Sequence, residues 1–452
     1  MGKGLMLKIM NILLLVCLLP ACQEGQQEGQ QDSPIITMDE QVCREQSLKN
    51  IAMWEYMNDW YLWNDALDQN SVLADFLSID DLLADIKEKN PLDRYSFVVS
   101  KQESDDMFVN AQTFGYGMAN STDEMTDELI VNFVFDDSNA QKIGLSRGDR
   151  ITHIAGNNLS ELLSKADFSW AEFWLTIEQS QLVAFTWRQL DGTVITREMI
   201  QSKVTTNTVF ATEVIESEVG KIGYLVYNSF IDPSSEDLNQ VFRYFKEQNV
   251  DELIVDLRYN HGGTSRMSNQ LASQIGGDNV FGEIYNAPTN NANHVSAVEI
   301  FNLNKAEHYL SLSKVVFITT GESASGSEVL INSLKPFLEV KLVGQKTYGK
   351  PVGMRVAQLC DEVIFAITHH NHNADGYGDF FDGIAVDCPA IDSVAGPWGS
   401  SKDPMLSEAV YLLEHKQCSP YLNSATSQKT RLMTKPLYRE FSTTKPFATV
   451  SH

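Results

Sequence analysis

Residues 315–354 read VVFITTGESASGSEVLINSLKPFLEVKLVGQKTYGKPVGM and decide the fold of the C-terminal half of the chain. The opening apolar run, VVFI, predicts a buried strand, and residues 327–337 carry apolar side chains at helical spacing. A second apolar run at residues 340–343 predicts another strand, which leads to a turn that ends at Lys350. The stretch therefore predicts a strand–helix–strand unit with serines at the first turn and a lysine after the second strand.

This arrangement of serines and a lysine suits nucleophilic catalysis. A serine hydroxyl is a weak nucleophile until a neighbouring base takes its proton. A lysine can be that base when burial lowers its pKa enough to leave the amine neutral near pH 7. The start of the helix would offer backbone N–H groups to a developing oxyanion. Taken alone, the turn favours the other interpretation, an ordinary turn whose serines cap the helix, with Lys350 in solvent.

Two short motifs in the stretch carry a family resemblance. Residues 323–328 read SASGSE and residues 347–350 read TYGK, which resemble the serine and lysine turns of the carboxyl-terminal (tail-specific) processing peptidases, serine peptidases with a Ser–Lys dyad. In that family the base lies 25 positions after the nucleophile, the separation found here between Ser325 and Lys350. The resemblance implies that Ser325 is the nucleophile and Lys350 the general base. Family members often carry a glutamine four residues after the lysine, whereas this chain has Met354.

Residues 1–22 predict a targeting segment. Two early lysines precede an apolar run at residues 9–19 that is too short to span a bilayer, and the sequence Leu-Pro-Ala then leads to Cys22. This order is typical of a bacterial lipoprotein signal, in which cleavage leaves a lipidated Cys22; a plain secretory signal cleaved nearby is the alternative. Residues 23–37 are rich in Gln and Gly and predict a flexible tether. We expect a lipid-anchored protein of the bacterial cell envelope that faces the periplasm or the exterior.

Composition narrows the range of partners. The chain has 34 Lys+Arg and 60 Asp+Glu, a formal net charge of −26, which argues against nucleic acid and anionic membrane surfaces as partners. Export permits disulfides, and the four cysteines beyond the leader allow three pairings. They are Cys43, Cys360, Cys388 and Cys418. The nearness of Cys360 and Cys388 in sequence favours that pair, and no CxxC spacing of the kind used for zinc is present.

Residues 38–110 predict a helical N-terminal region. Aromatic residues crowd the segment WYLW at residues 60–63, and residues 73–86 add a periodic apolar pattern typical of core-facing helices. The same segment, together with the turn DRYS at residues 93–96, is similar to the N-terminal region of the processing peptidases.

Residues 111–202 resemble a PDZ domain. Residues 138–151 read SNAQKIGLSRGDRI, close to the pattern of bacterial PDZ domains, and residues 182–199 predict a hairpin around an Asp-Gly turn. The resemblance places a peptide-carboxylate-binding loop at Gly115, Tyr116, Gly117 and Met118. Capture of a substrate C-terminus by strand addition is the functional interpretation. A structural or gating domain without peptide contact is the alternative.

Residues 203–420 predict an α/β catalytic domain. A helix at residues 234–248 lies between two apolar strand patterns, the second at residues 253–257, and this order implies a right-handed crossover between parallel strands. The last helix is predicted at residues 403–414.

A glycine pair follows the strand at residues 253–257. Residues 256–263 read DLRYNHGG and resemble the family turn that faces the nucleophile. The resemblance implies that an N–H of Gly262 or Gly263, together with that of Gly326, forms the oxyanion hole; we favour Gly262.

A group of histidines after the lysine turn permits a metal site by residue type alone. The group comprises His369, His370, His372, Asp375 and Asp379. Its spacing matches no metal motif, so we favour a polar surface loop and expect no metal and no other cofactor. One histidine could also replace the missing partner of Lys350.

The resemblance covers residues 40–415 and implies a multidomain α+β protein. It would comprise the helical region, a PDZ β-domain and a crotonase-like α/β catalytic domain built from ββαβ units, followed by a tail at residues 421–452. The function implied is a serine endopeptidase acting near unstructured C-termini of exported proteins, anchored to a membrane through its lipid and without nucleic-acid partners. The alternative is a non-catalytic PDZ-containing peptide-binding lipoprotein with a degenerate active site, which Met354 favours.

Overall fold

The computed structural model describes residues 40–420 except 124–125, 166, 178–180, 296 and 303–307. The leader with Cys22, the tether at residues 23–37 and the tail at residues 421–452 lie outside the described residues. No helix in the described part of the chain is long and apolar enough to cross a bilayer.

The N-terminal region is mainly helical, as the sequence predicts. Its elements are α1 (Glu40–Arg44), α2 (Gln46–Trp60), α3 (Ile79–Lys89), β1 (Phe97–Ser100) and α4 (Lys101–Phe108), with short 3₁₀ turns at Asn64–Ala66 and Leu73–Asp75. Ser78 caps α3 by accepting the N–H of Asp81, and the buried face of that helix carries Leu82 and Ile86.

A small antiparallel sheet follows. Its elements are β2 (Gln112–Gly115), β3 (Met118–Asp123), β4 (Glu128–Val134), α5 (Asn139–Lys142), β5 (Arg150–Ile154), β6 (Asn157–Asn158), α6 (Leu159–Leu163), α7 (Trp170–Leu175), β7 (Val183–Arg188), β8 (Val194–Met199) and β9 (Ser202–Thr205). The strand order is β3-β4-β5-β7-β8, with β6 on β5 and a separate β2–β9 pair. The β7–β8 hairpin confirms the predicted Asp-Gly turn, where Gly192 has a φ of 90°. The sheet has its own apolar core, which includes Phe185 and Trp187.

The remaining elements form the large C-terminal part. They are β10 (Val209–Ser217), β11 (Gly220–Tyr227), α8 (Ser234–Gln248), β12 (Glu252–Asp256), α9 (Ser265–Gly276), a 3₁₀ turn at Gly277–Asn279, β13 (Ile284–Asn286), β14 (Thr289–Asn290), β15 (Glu299–Ile300), β16 (Lys314–Thr319), α10 (Gly326–Leu334), β17 (Glu339–Gly344), β18 (Val352–Leu359), β19 (Glu362–His370), β20 (Cys388–Pro389) and α11 (Pro404–His415). The whole is therefore a mixed α+β chain with more than one core.

The large sheet has the order β10-β11-β12-β16-β17-β20 and is parallel from β11 onward. Helices α8, α9 and α10 cover one face and α11 covers the other. Because both faces are covered, the central strands are apolar throughout, and Val255 and Phe317 are fully buried. The turns after β12 and β16 leave the same edge of this sheet, which brings the glycine pair and the serine turn together.

The N-terminal region shares a second sheet with the hairpin β18–β19. Strand β1 pairs with β19 in antiparallel register, and the hydroxyl of Tyr56 in α2 donates to the carbonyl of Arg355 in β18 at 2.8 Å. The disulfide Cys43–Cys360 joins α1 to the turn of the hairpin. The region that precedes the small sheet is therefore packed on the segment that follows Lys350.

The predicted disulfide Cys360–Cys388 is wrong. The structure pairs Cys43 with Cys360 and Cys388 with Cys418. Cys360 lies in the turn between β18 and β19 of the hairpin sheet, whereas Cys388 lies in β20 at the edge of the large sheet. Nearness in sequence misled because the chain passes from one sheet to the other between these two cysteines.

A buried ionic cluster joins the large sheet to the small sheet. Arg258, two residues after the end of β12, is fully buried. Its guanidinium lies 2.6 Å from Asp256, 2.8 Å from Asp403 and 3.0 Å from Asp392. Arg147, from the loop before β5 in the small sheet, lies 3.6 Å from Asp392 and from Asp403. Removal of one member would leave buried charge uncompensated, which is strongly destabilising.

Aromatic contacts complete this cluster next to the glycine turn. The guanidinium of Arg147 stacks 3.7 Å from the ring of Trp398 and donates to the hydroxyl of Tyr259 at 3.3 Å. The Tyr259 hydroxyl in turn donates to Asp392. Since Tyr259 is adjacent to Asn260, the small sheet is held against the loop that carries the glycine pair.

Candidate active site

Ser325 lies at the turn between β16 and α10. Its backbone has a φ of 52° and a ψ of −114°, a conformation that non-glycine residues rarely adopt and that surrounding contacts must hold. Ser325 is partly exposed, while Ala324 and Gly326 on either side are buried. A strained, partly exposed serine at a strand-to-helix turn is a geometry that suits a nucleophile.

The two flanking serines of the motif hold this turn in place. Ser323 Oγ donates to the carbonyl of Leu257 at 2.7 Å, and Ser327 Oγ donates to the carbonyl of Asn260 at 2.8 Å. Both side chains are fully buried. The outer serines therefore bind the backbone of the neighbouring turn and leave the middle serine at the surface of the site.

The glycine pair lies against the start of α10. A Cβ added to Gly262 would lie 2.7 Å from the nitrogen of Gly326, and a Cβ added to Gly263 would lie 2.2 Å from the carbonyl oxygen of Phe230. Both glycines also have positive φ, 101° and 143°. Only glycine fits this close approach of two backbones.

The backbone hydrogen bonds separate the two glycines. The N–H of Gly262 donates to Asn260 Oδ1 at 2.8 Å, so it is already engaged. Within the described residues, the N–H groups of Gly263 and Gly326 donate to no protein acceptor, and a Cβ added to Gly326 would lie 3.4 Å from the nitrogen of Gly263. The preference for Gly262 as a donor is therefore corrected to Gly263, because an asparagine side chain occupies the other N–H.

The carboxylate of Glu328 binds both turns of the site. Its Oε2 accepts the N–H of Ser325 at 3.0 Å and of Lys350 at 2.8 Å. Its Oε1 accepts the N–H of Gly349 at 2.7 Å and the hydroxyl of Thr347 at 2.5 Å. One side chain at the start of α10 thus fixes the serine turn relative to the lysine turn.

Sequence reasoning gave Glu328 no role beyond the last letter of a motif. The side chain is fully buried, and burial raises the pKa of its carboxyl, although the hydrogen bonds from Thr347 and from the backbone oppose this effect. A glutamate in the first turn of an otherwise apolar helix was the available signal, because an acid at that position needs donors when it is buried.

The amine of Lys350 is surrounded by protein. Burial lowers the pKa of the Lys350 amine from 10.5 to about 8, although the charges of Asp93 and Glu328 act in the opposite direction. The Nζ atom lies 3.7 Å from Met354 Sδ and 5.7 Å from the centroid of the Tyr95 ring. No hydrogen bond joins Nζ to the Ser325 hydroxyl in the described residues.

The DRYS turn of the N-terminal region holds the lysine turn from outside. Tyr95 donates its hydroxyl to the carbonyl of Gly349 at 2.5 Å, and Arg94 Nη2 donates to the same carbonyl at 3.2 Å. Asp93 in turn accepts the hydroxyl of Tyr61 at 2.9 Å, and Tyr61 belongs to the segment WYLW. Both N-terminal motifs therefore position the turn that ends at Lys350.

The loop predicted to bind a peptide carboxylate lies within the small sheet. Gly117 has a φ of 86°, and a Cβ there would lie 2.2 Å from that of Ser138. The Tyr116 ring is buried and meets Phe185 edge-on at 4.9 Å, so it packs in the core. Gly115 ends β2 and Met118 begins β3.

Two of the three histidines lie in a strand, while His372 lies in the loop that follows it. His369 and His370 belong to β19, and burial lowers the pKa of His369 to about 4. The expected surface loop is therefore wrong for His369, because it lies opposite Gly353 inside the hairpin. In the described residues the one close group of possible metal ligands is Cys388, Glu408 and Cys418, and its two cysteines are joined in a disulfide. The hydrogen-bond partner of Lys350 Nζ there is Met354, and no histidine takes that role.

Two sequence families match the chain at the segments that build this site. The peptidase S41 N-terminal domain matches residues 49–97, and peptidase family S41 matches residues 221–390. The chain belongs to peptidase family S41. The S41 N-terminal segment contains Tyr95, and the S41 peptidase segment contains Ser325 and Lys350. The hydrogen bond from Tyr95 to Gly349 therefore joins the two matched parts.

Two curated relatives of this S41 chain are carboxyl-terminal processing enzymes by name. It is 22% identical over 315 residues to the chloroplastic carboxyl-terminal-processing peptidase 3 of Arabidopsis thaliana, covering 67% of this chain and 58% of the relative. It is 23% identical over 276 residues to the carboxy-terminal processing protease CtpB of Bacillus subtilis, covering 60% and 54%. The S41 chain thus spans a little over half the length of these relatives.

A solved structure shares the fold. The putative S41 protease of Bacteroides fragilis NCTC 9343 matches with a TM-score of 0.65 and 19% identity, over 80% of this chain and 96% of that one. This similarity supports the mixed α+β S41 architecture along most of the chain.

Proposed function

We propose that this protein is a serine endopeptidase that hydrolyses peptide bonds near the C-termini of exported proteins, with Ser325 as nucleophile and Lys350 as general base. The observation that carries the proposal is the carboxylate of Glu328, which binds the backbone N–H of both residues. Membership of family S41 supports the reaction class.

In the first half of the reaction, the neutral amine of Lys350 takes the hydroxyl proton of Ser325 as Oγ attacks the substrate carbonyl carbon. A pKa of about 8 leaves a useful fraction of the amine neutral near pH 7. The N–H groups of Gly263 and Gly326 donate to the oxyanion of the tetrahedral intermediate. The ammonium then gives its proton to the leaving amine, the C–N bond breaks, and an acyl-enzyme remains.

In the second half, Lys350 takes a proton from water, whose oxygen attacks the acyl carbon. The tetrahedral intermediate again uses the two N–H groups, and the proton returns to Ser325 Oγ as the new carboxyl group leaves. Catalytic hydrogen bonds are often long before substrate binds, so we expect Ser325 Oγ and Lys350 Nζ to approach each other in the substrate complex.

The substrate would be selected by its C-terminus. We assign residues 111–202 to a PDZ domain in which the loop from Gly115 to Met118 donates backbone N–H groups to the terminal carboxylate. Since the Tyr116 ring is buried, that loop would act through its backbone. In the same proposal residues 203–420 form a crotonase-like domain, and lipidation of Cys22 anchors the protein to a membrane of the cell envelope.

The test is turnover of a protein with an unstructured apolar C-terminal tail. We expect wild type to release fragments cut near the tail and a fluorophosphonate probe to label Ser325. Ser325→Ala and Lys350→Met should each lower kcat/KM by about a thousandfold or more. Ser160→Ala and Lys346→Met are matched controls, because both side chains are exposed and neither belongs to the site. Equal cleavage by Ser325→Ala and wild type would contradict the assignment.

A non-catalytic peptide-binding lipoprotein is the second candidate. Two observations favour it: Met354 lies beside Lys350, where the related peptidases often have a glutamine, and no hydrogen bond joins Lys350 to Ser325. This candidate predicts that wild type binds tail peptides through residues 111–202 without cleaving them. It also predicts that the fluorophosphonate probe does not react and that Ser325→Ala leaves the affinity unchanged.

A further inference from the structure

Met354 provides the closest polar contact of the Lys350 amine. Its Sδ atom lies 3.7 Å from Nζ, and no other hydrogen-bond partner of Nζ is found in the described residues. The side chain is carried by β18, and its register places it opposite Ile367 of β19. It packs against both apolar clusters that flank the hairpin. The sulfur is therefore held in place by the hairpin.

A thioether and an amide differ in what they offer an amine. A thioether sulfur is only a weak acceptor, whereas the amide oxygen of a glutamine is a strong one. A strong acceptor stabilises an ammonium more than a neutral amine, and so raises the pKa of a lysine. At Met354 the chain has a side chain of similar length that gives the ammonium little compensation.

The carboxylates that face Lys350 are already bound to other donors. Asp93 Oδ1 accepts the N–H of Tyr95 and Ser96, and its Oδ2 accepts the hydroxyl of Tyr61. The carboxylate of Glu328 accepts four donors from the serine and lysine turns. Both acids act on the amine through charge at a distance, and neither binds it.

In the part of the chain that the structure describes, no charged group besides Asp93 and Glu328 favours the ammonium. The guanidinium of Arg94 lies 5.2 Å from the centroid of the Tyr95 ring and is itself positive, so it cannot compensate an ammonium. His369 of β19 is buried, and with a pKa of about 4 it is uncharged near pH 7. Among the described residues, the side chain at position 354 is therefore the one hydrogen-bond partner through which the protein can change how well the ammonium is solvated.

We propose that Met354 is a positioning residue that leaves the ammonium of Lys350 poorly compensated, so that it loses its proton readily, and thereby sets the lower limit of the pH range in which the protein cleaves peptides. This inference rests on the proposed function. It goes beyond that function because it gives Met354, which stands where the related peptidases often have a glutamine, a role in catalysis. In a degenerate active site Met354 would have no such role.

The test compares Met354→Gln with Met354→Leu. The glutamine adds a strong acceptor at the same length, and the leucine keeps an apolar side chain without sulfur. The acid limb of the pH profile is the fall of kcat/KM at low pH, where Lys350 is protonated. In Met354→Gln we expect this limb to move about one pH unit upward, so that activity falls by about tenfold at pH 7 and equals that of wild type above about pH 9.5. The acid limb of Met354→Leu should stay within about a twofold change of wild type at pH 7.

Two results would overturn the proposal. One is a pH profile of Met354→Gln that superimposes on that of wild type. The other is an equal upward shift in Met354→Leu, because packing alone would then explain the effect. Thermal unfolding of both variants identifies loss of fold, which lowers activity at every pH and does not move the acid limb.

A second measurement separates this inference from the proposed function. The apparent pKa of Lys350 is measured by competitive acetylation and mass spectrometry in the inactive Ser325→Ala protein, with and without Met354→Gln. A higher pKa with glutamine supports the role of Met354 even if wild type cleaves no substrate, in which case only the proposed function fails. Equal pKa values would reject the role of Met354 whatever the activity.

Discussion

Tyr95 donates a 2.5 Å hydrogen bond to the carbonyl of Gly349, the residue immediately before Lys350. The two residues are 254 positions apart in sequence, and they join the N-terminal region to the lysine turn. Tyr95 is fully buried. The position of the lysine therefore depends on a part of the chain that contributes no atom to the proposed chemistry.

Tyr95→Phe should lower kcat with little change in KM. The variant keeps the ring and removes one buried hydrogen bond, whose loss costs about 1–3 kcal/mol, or about 5- to 150-fold in rate if all of it affects the transition state. The measurement is steady-state cleavage of a tail substrate. Tyr244→Phe is the matched control, because that ring is 38% exposed on α8. An unchanged kcat in Tyr95→Phe would show that the lysine turn is held without this bond.

Glu328→Gln should reduce activity strongly while the protein still folds. All four groups bound by the Glu328 carboxylate are hydrogen-bond donors. In glutamine, an NH₂ group replaces one of the two accepting oxygens, so at least one pair of donors would face another donor. We expect a loss of about 100-fold in kcat/KM. Glu247→Gln on the exposed side of α8 is the control. Retention of full activity in Glu328→Gln would exclude it as the link between the two turns.

Lys350→Met should stabilise the protein at pH 7. Burial lowers the pKa of the amine to about 8, so between pH 8 and 10.5 the unfolded chain binds this proton more tightly than the folded one. The charged amine destabilises the fold by about 3 kcal/mol below pH 8, and this penalty disappears as the pH rises to 10.5.

Denaturant unfolding at pH 7 and pH 9.5 checks the sign. The stabilisation by Lys350→Met should be larger at pH 7, while the exposed Lys346→Met should change stability little at either pH. A stabilisation that grows with pH would mean that the amine is not desolvated in the folded protein.

Without the Cys43–Cys360 disulfide, the protein should lose activity at a lower temperature than that at which the whole fold melts. The bond attaches α1 to the hairpin that begins just after Lys350 and carries Met354. The double serine variant should lose about 2–5 kcal/mol of stability and show activity loss at temperatures below global unfolding.

The second disulfide is the matched control. Cys388–Cys418 joins β20 to the chain after α11, on the other face of the large sheet. We expect its double serine variant to lose activity only as the whole protein unfolds, which parallel thermal inactivation and circular dichroism measurements reveal. Identical behaviour of the two variants would contradict a specific link between Cys43–Cys360 and the site.

Features with a local signal could be predicted from the sequence. The helix predicted at residues 234–248 is found as α8 (Ser234–Gln248), and the Asp-Gly turn of β7–β8 has the expected conformation. Apolar periodicity and turn chemistry decide such elements within a few residues, so a single chain contains the information. The serine and lysine turns lie where the motifs indicate, after β16 and β17.

Features that depend on contacts between distant segments could not be predicted. Which of Gly262 and Gly263 keeps an unpaired N–H is decided by the side chain of Asn260, whose direction the sequence does not show. The disulfide partners depend on which sheet each cysteine joins. The contact of Arg147 with Asp392 crosses between two sheets, and nothing in the local pattern of either segment indicates it.

The Cys43–Cys360 bond closes a covalent ring that contains the small sheet, the glycine pair, Ser325 and Lys350. A single backbone cut anywhere between those cysteines leaves both fragments in one molecule, and they separate only after reduction. A nicked copy would therefore remain attached to whatever holds its N-terminus, and would run as one band on a gel until a thiol is added. Shedding of the peptidase part would require either reduction or a cut ahead of Cys43.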